Sequence, residues 1–318
     1  MSEHGLVRNG RARIGRVAVI AHTGKTLGGG LDELRRLITT DQVDEVLWYE
    51  VPKSRKAPAK VRKALAAEPD LLVVWGGDGM VQRCFDVVAG SDMAGRDMAG
   101  GDVPVAIIPA GTANLFATNL GIPDDLEGAV RVALRGGRRA IDVGRFNGEH
   151  FVVMAGVGFD ADMIEEADGT LKGRLGRFAY VWTGARQAGD AEAVRTRIKL
   201  DGTKWFEGEA TCVLIGNVAK VFGAVEVFEG ATPDDGWLDV GVTTARGSAE
   251  WSRALARIGT GPSDRSPYVR TGRARKISVK LDRPLRYELD GGARSKTSRV
   301  KVRVVPGAVT VCVPREPI

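Results

Sequence analysis

The sequence predicts a two-domain α/β protein, in which a mostly parallel, helix-flanked sheet precedes a mainly antiparallel β-sandwich. Three observations predict it. Short continuous apolar runs at 16–21, 71–75 and 105–108 alternate with helical patterns over the first half, as doubly covered parallel strands do. Beyond them the apolar residues fall at every second position, as in Val194/Thr196/Ile198/Leu200, Ile277/Val279/Leu281, Val300/Val302/Val304 and Val309/Val311/Val313. That is the pattern of strands with one solvated face. The length of 318 residues exceeds one typical domain, and a hydrophobic fraction of 43% can fill two cores.

Taken in order, residues 1–13 are polar and basic and are expected to form a disordered tail. The α/β domain is expected over 14–140. Its first strand, 16–21, runs into His22-Thr23-Gly24-Lys25-Thr26 and three glycines, and Leu31, Leu34, Leu37 and Ile38 then follow at helical spacing. A second strand is expected over 43–51. Pro58 opens a basic helix, a position where proline is tolerated. The third strand, 71–75, delivers Gly76-Gly77-Asp78-Gly79, and a helix resumes at Val81. A repeated Asp-Met-Ala-Gly at 92–95 and 97–100 reads as a surface loop. The strand 105–108 turns through Pro109-Ala110-Gly111-Thr112-Ala113-Asn114 into a helix that stops at Gly121 and Pro123. Strands at 141–143, 151–155, 194–200, 210–215 and 238–243, with helical inserts at 171–187 and 248–258, make 141–305 a mainly antiparallel β-sandwich domain.

A net charge of +6 suits nucleotides, anionic lipid surfaces or nucleic acid without choosing among them. Three scattered cysteines with no CxxC spacing argue against disulfides and structural zinc and for a reducing cytosol. Three histidines do not make a His-rich metal site. No apolar run approaches the ~18 residues of a spanning helix, and the start lacks a signal-peptide apolar region.

Three partial signatures fail. Gly24-Lys25-Thr26 has Val19 where a Walker loop needs glycine. Gly156-x-Gly158-x-x-Ala161 lacks the acidic residue a dinucleotide site places about 20 residues on. The basic stretch 270–276 has few aromatics beside it, so it reads as solvated surface rather than a nucleic-acid footprint. Two loops survive. Gly76-Gly77-Asp78-Gly79 and Gly111-Thr112-x-Asn114 both end parallel strands and should share one sheet edge, where N–H groups and helix N-termini favour phosphate. A plain βα turn would not need three glycines and an acid; Thr112 could also act merely as a helix cap.

With Ile108-Pro109-Ala110-Gly111-Thr112-Ala113-Asn114-Leu115-Phe116-Ala117, Leu120-Gly121-Ile122-Pro123, Ile141-Asp142-Val143-Gly144, Lys172-x-x-x-Gly176, Asp234-Asp235-Gly236-x-Leu238-Asp239 and Asp290-Gly291, these loops resemble the diacylglycerol kinase catalytic domain family over essentially the whole chain. The resemblance implies a phosphofructokinase-like nucleotide-binding domain over 14–140, an NAD kinase-like β-sandwich over 141–305 for the lipid substrate, a return of 306–318 to the first domain, and an ATP- and Mg²⁺-dependent lipid kinase. It implies that Gly76, Gly77, Asp78, Gly79 and Thr112 hold ATP phosphates, with Asn114, Thr23, Gly24 and Lys25 around them. It implies that Asp142 joins Asp78 in a carboxylate–water–Mg²⁺ network and that Asp235 binds a structural Mg²⁺. Lys25 and Lys172 are candidate phosphate partners, or simply surface lysines. A carboxylate inside a phosphate loop suits Mg²⁺, which prefers oxygen ligands. The expected partner is a lipid at the inner face of a membrane, reached peripherally, with no nucleic acid; a homodimer is the assembly considered.

The departures bear on the reaction. The usual Asn-Pro-x-Ser-Gly is Ala21-His22-Thr23-Gly24-Lys25, the threonine after the glycine loop is Met80, and Leu115 replaces an aspartate or serine. The glutamate that acts as general base in such enzymes is Gly292. Asp78 or Asp290 then takes the proton, with Glu288 a weaker candidate on the same strand face as Asp290. The rival readings are a non-catalytic lipid- or nucleotide-binding relative, and a kinase for a small soluble substrate such as NAD.

Overall fold

The structure is a computed structural model that describes residues 13–90, 103–158, 193–222, 225–247, 249–250 and 266–315. The Asp-Met-Ala-Gly repeat, the insert expected over 171–187 with Lys172, most of the insert expected over 248–258 and almost all of the tail lie outside these residues.

The first half folds as β1 (Ile14–His22), α1 (Gly30–Ile38), β2 (Val43–Val51), α2 (Ala57–Leu65), β3 (Leu71–Gly76), α3 (Asp78–Gly90), β4 (Val105–Pro109), α4 (Leu115–Asn119) and α5 (Leu126–Arg135). The strands pair in parallel in the order β2-β1-β3-β4. All six residues of β3 are buried, which explains its unbroken apolar run. Each apolar side chain from Leu71 to Val74 contributes about 1.5–3 kcal/mol, so a charge there would not be tolerated. Parallel pairing puts the C-terminal ends of β1, β3 and β4, and therefore their loops, on one edge.

The second half is antiparallel in the main: β5 (Gly137–Phe146), β6 (Glu149–Phe151), β7 (Met154–Val157), β8 (Val194–Leu200), β9 (Thr203–Ala210), β10 (Cys212–Gly216), β11 (Lys220–Phe222), β12 (Val225–Glu226), β13 (Leu238–Thr243), β14 (Val269–Ala274), β15 (Lys276–Leu289) and β16 (Gly292–Val313). The order β14-β13-β10-β7-β15-β16 then runs directly into β4. Strand β16 makes that join. It pairs with β15 from Gly292 to Arg303 and with β5 from Val302 to Val313, and Val311 sits parallel to Val105 of β4. Its register shifts between Val305 and Val309, where Gly307 takes a positive φ of 58° and the strand bends out of the sandwich toward the first sheet. The fold class is the one the sequence predicts.

Two cores follow from strand alternation. Ala155, Val157, Val213, Ile215, Leu238, Val240, Val242 and Leu289 fill the sandwich. Met154, Cys212 and Leu214, on the opposite face of the same strands, belong to the cluster continuous with the first domain. Helix α3 is fastened to the second half: Gln82 Nε2 donates to the His150 carbonyl at 2.7 Å, and Asp86 accepts the His150 N–H at 2.8 Å. No described helix is long and apolar enough to cross a membrane.

Candidate active site

The loop after β3 is built by close approach. A β-carbon on Gly76 would lie 2.6 Å from Met80 Cβ, and one on Gly77 would lie 2.9 Å from Gly111 Cα. Both distances are below any real contact, so these glycines are demanded by packing. Gly79 differs: its missing side chain faces open space, and its φ is not positive. Neither backbone nor packing requires glycine there, so the space itself is the feature.

The loop after β4 meets the first one back to back. Asn114 heads α4 with a positive φ of 48°. Its Oδ1 accepts the Gly111 N–H at 2.9 Å, and its Nδ2 donates to the Pro109 carbonyl at 2.8 Å and that of Gly111 at 3.1 Å. The amide is thus spent on shaping the loop, leaving Thr112 exposed at the tip. Asp78 locks the two loops together, its Oδ1 accepting the Phe116 N–H at 3.2 Å. Burial raises the pKa of Asp78, and N–H groups of α4's first turn oppose the rise. The β1 loop joins the same edge: Trp75 Nε1 donates to the Lys25 carbonyl at 3.2 Å, and His22 Nδ1 accepts the Gly24 N–H at 3.1 Å. Thr23 and Gly24 are exposed, Lys25 half-buried. Burial first, and then Lys25, lowers the His22 pKa, keeping the ring neutral as that acceptor.

Across from these loops stands the β15–β16 hairpin. Asp290 has a positive φ of 45° and is buried. Its Oδ2 accepts the Val152 N–H at 2.8 Å; its Oδ1 accepts those of Val153 at 2.9 Å and Met154 at 2.8 Å. Burial pushes its pKa up to about 7 against those three donors, and the charge of Asp78 adds to the rise. Beside Gly292, Arg294 fills the space: a β-carbon on Gly292 would lie 2.6 Å from Arg294 Nη1. That guanidinium is held by Glu149, with Nε to Oε2 at 2.8 Å, and Nη1 donates to the Gly292 carbonyl at 2.8 Å.

Two of the carboxylates expected on the metal side, Asp235 and Asp142, are held by protein groups. Asp142 bridges two backbone segments. Its Oδ2 accepts the Gly236 N–H at 2.6 Å and its Oδ1 that of Gly307 at 2.8 Å. It therefore ties the Asp-Asp-Gly turn to the bend of β16, because both segments present unpaired N–H groups there. Asp235 is likewise held by protein groups. Asp235 Oδ1 accepts the Trp237 N–H at 2.9 Å, and Oδ2 is met by the Arg273 guanidinium, whose Nε also lies 3.2 Å from Asp239. A guanidinium already neutralises the turn, and no group of three His, Cys, Asp or Glu side chains that could hold a metal occurs among the described residues. Burial carries the Asp239 pKa to about 6; Arg273 opposes the rise and Asp235 reinforces it. Asp234 is similarly engaged by both nitrogens of Arg139 at 2.7 and 2.6 Å.

Arg273 and Arg294 were not legible as site residues. The basic stretch holding Arg273 read as surface, yet Arg270 also lies 4.9 Å over the Trp205 ring and Arg275 4.6 Å over Trp237. For Arg294, the one available signal is its place two residues beyond Gly292, on the same strand face. Lys172 lies outside the described residues.

Paired glycine loops on a parallel sheet edge, set against an antiparallel sandwich, define a kinase-like two-domain protein. Residues 17–146 match the diacylglycerol kinase catalytic domain, and residues 152–313 match the YegS C-terminal NAD kinase beta sandwich-like domain. The chain belongs to the diacylglycerol kinase catalytic domain family. It is 28% identical over 243 residues to a diacylglycerol kinase of Staphylococcus aureus, covering 76% of this chain and 74% of that one. It is 30% identical over 251 residues to an uncharacterized Synechocystis protein, covering 77% of this chain and 55% of that protein, so it spans just over half of that relative. A crystal structure of a diacylglycerol kinase from Bacillus anthracis superposes with a TM-score of 0.76 at 23% identity, covering 95% of this chain and 98% of the other. An NAD kinase from Archaeoglobus fulgidus in complex with ATP gives 0.51 at 11% identity, covering 93% of each chain. These last two likenesses are of fold alone.

Proposed function

We propose that this chain is a lipid kinase that transfers the γ-phosphate of Mg-ATP to the hydroxyl of a diacylglycerol-like lipid. The observation that carries the reading is the junction of Gly77 with Gly111 beside the open space at Gly79. Phosphoryl transfer needs mainly positioning and charge neutralisation. The start of α3 offers free N–H groups and a positive helix end to phosphate oxygens. Thr112 adds a hydroxyl and Lys25 a charge at the same edge. Mg²⁺ enters with the nucleotide as part of the substrate, and Asp78 is the nearest carboxylate on these loops to receive it. The acceptor is a lipid because the family's named relatives are diacylglycerol kinases, whereas the NAD kinase likeness is distant. The reading places the protein peripherally at the inner face of a membrane.

The test is mass spectrometry of a total lipid extract incubated with purified protein and Mg-ATP, with NAD in a parallel reaction. A phosphorylated lipid that disappears in the Gly79→Val variant supports the reading. Turnover of NAD instead of lipid reverses it.

A further inference from the structure

We propose that the outward face of the sheet formed by β8, β15 and β16 is the surface on which this protein docks onto an anionic bilayer. The choice of a bilayer as partner rests on the lipid-kinase reading; the surface itself goes beyond it. In this part of the sandwich Ile198, Ile277, Val279, Val300 and Val302 fill the core. Strand alternation then turns the residues between them to solvent. Those residues include Lys199, Lys276, Lys280, Arg299, Lys301 and Arg303, all exposed.

Register gathers these cations into one patch. Lys276 lies opposite Arg303, Ser278 opposite Lys301 and Lys280 opposite Arg299; on the other side of β15, Ser278 faces Lys199 and Lys280 faces Arg197. With strands about 4.8 Å apart and same-face positions about 6.8 Å apart along each, the patch has a base of roughly 10 by 14 Å. Like charges directly opposite one another destabilise a sheet, and the chain does not offset them here. Lys199, Lys276, Lys280, Arg299, Lys301 and Arg303 form no ion pair among the described residues. Acids stand only at the border. Glu207 takes Arg197 at 2.8 Å, Asp201 is spent on the N–H groups of Arg275 and Lys276, and Asp282 comes just after Leu281.

The layout selects the partner. The exposed positions of the patch hold no aromatic ring for the bases of a single strand to stack on. A second copy would set the same cations against themselves, since a two-fold interface uses one patch twice. A plane of headgroup phosphates matches a plane of ammonium and guanidinium groups, and each such cation near an anionic leaflet adds roughly fivefold in affinity. The same two strands also lead to the site. Past the register shift after Lys280, β15 and β16 continue with Arg286 opposite Lys296 to the hairpin of Asp290, across from the phosphate loops. The strands that rest on the bilayer therefore also form one wall of the site.

The experiment is sedimentation of the full chain with phosphatidylglycerol-containing vesicles and with pure phosphatidylcholine vesicles, at low and high salt. Wild type is compared with Lys280→Glu/Lys301→Glu and the milder Lys280→Gln/Lys301→Gln. Wild type is expected to bind the anionic vesicles and to be released by salt. Charge reversal should weaken that binding roughly 20-fold or more, and the Gln pair should weaken it less. Melting temperature and ATP affinity should hold in both variants. Anionic-vesicle binding unchanged by charge reversal overturns the inference, as does equal binding to phosphatidylcholine. Retention on transfer RNA that the anionic vesicles fail to displace also overturns it, in favour of a nucleic-acid partner. Phosphorylation of detergent-dispersed lipid by a protein that ignores vesicles overturns the docking surface and leaves the lipid-kinase reading intact. Vesicle binding lost on charge reversal, in a protein that phosphorylates no lipid, does the reverse.

Discussion

Gly77 and Gly111 meet with no side chain between them: a β-carbon on Gly77 would fall 2.9 Å from the Gly111 Cα. The two loops that the sequence singled out are therefore one object, closed further by the Asp78 bond to the Phe116 N–H. Gly111→Ala is the sharper probe, because its new methyl would also come within 2.5 Å of Asn114 Oδ1. It should cost about 1–3 kcal/mol, as overpacking does, and abolish ATP binding; melting curves with and without Mg-ATP check both.

Gly79→Ala separates packing from binding. The added methyl meets nothing within 4 Å, and alanine suits a helix better than glycine by about 0.5–1 kcal/mol. Stability should hold or rise while ATP affinity falls, since the methyl enters the space left for phosphate. Unchanged ATP affinity by calorimetry would remove Gly79 from the site.

Asp290→Asn exchanges one oxygen for an amide and deprives Val152, or Val153 and Met154, of an acceptor. A loss of about 1–3 kcal/mol in chemical denaturation is expected. The positive φ is no obstacle, because asparagine tolerates that region.

Chelation distinguishes the guanidinium from a metal at the Asp235 turn. EDTA should leave the wild-type melting temperature unchanged. Arg273→Ala should lower it by leaving Asp235 beside the partly buried Asp239, and added Mg²⁺ or Ca²⁺ should restore part of the loss. An EDTA-sensitive wild type would show that a metal stabilises this protein.

Stability should fall as pH rises from about 4.5 toward 7 through the Glu288 carboxyl. The folded state binds its proton more tightly than the unfolded chain, because burial first and then Asp290 disfavour the charge. The contribution is intact below the unfolded pKa and is lost as pH passes the folded one. Denaturation of wild type against Glu288→Gln at pH 5 and pH 8 should show the variant gaining relative stability at pH 8.

Local pattern alone determined much of this protein. Unbroken apolar runs such as 71–75 marked strands covered on both faces, and Val300/Val302/Val304 marked strands covered on one, because side-chain direction follows strand period. Glycines at the ends of β3 and β4 marked the edge where two loops meet, since the close approach of Gly77 and Gly111 admits nothing larger. Partnership, however, is a property of three dimensions. Asp142 carries a motif that pointed to Asp78, yet its oxygens close the Asp-Asp-Gly turn onto the bend of β16, 165 residues away in sequence. Arg294 occupies the room that Gly292 leaves, and Arg273 neutralises Asp235, through pairings that no spacing records. Glu288 is the clearest division. Alternation put it on the face of Asp290, but only the tertiary structure showed that its neighbours are Gly156 and Ala293 and that its carboxyl stands alone.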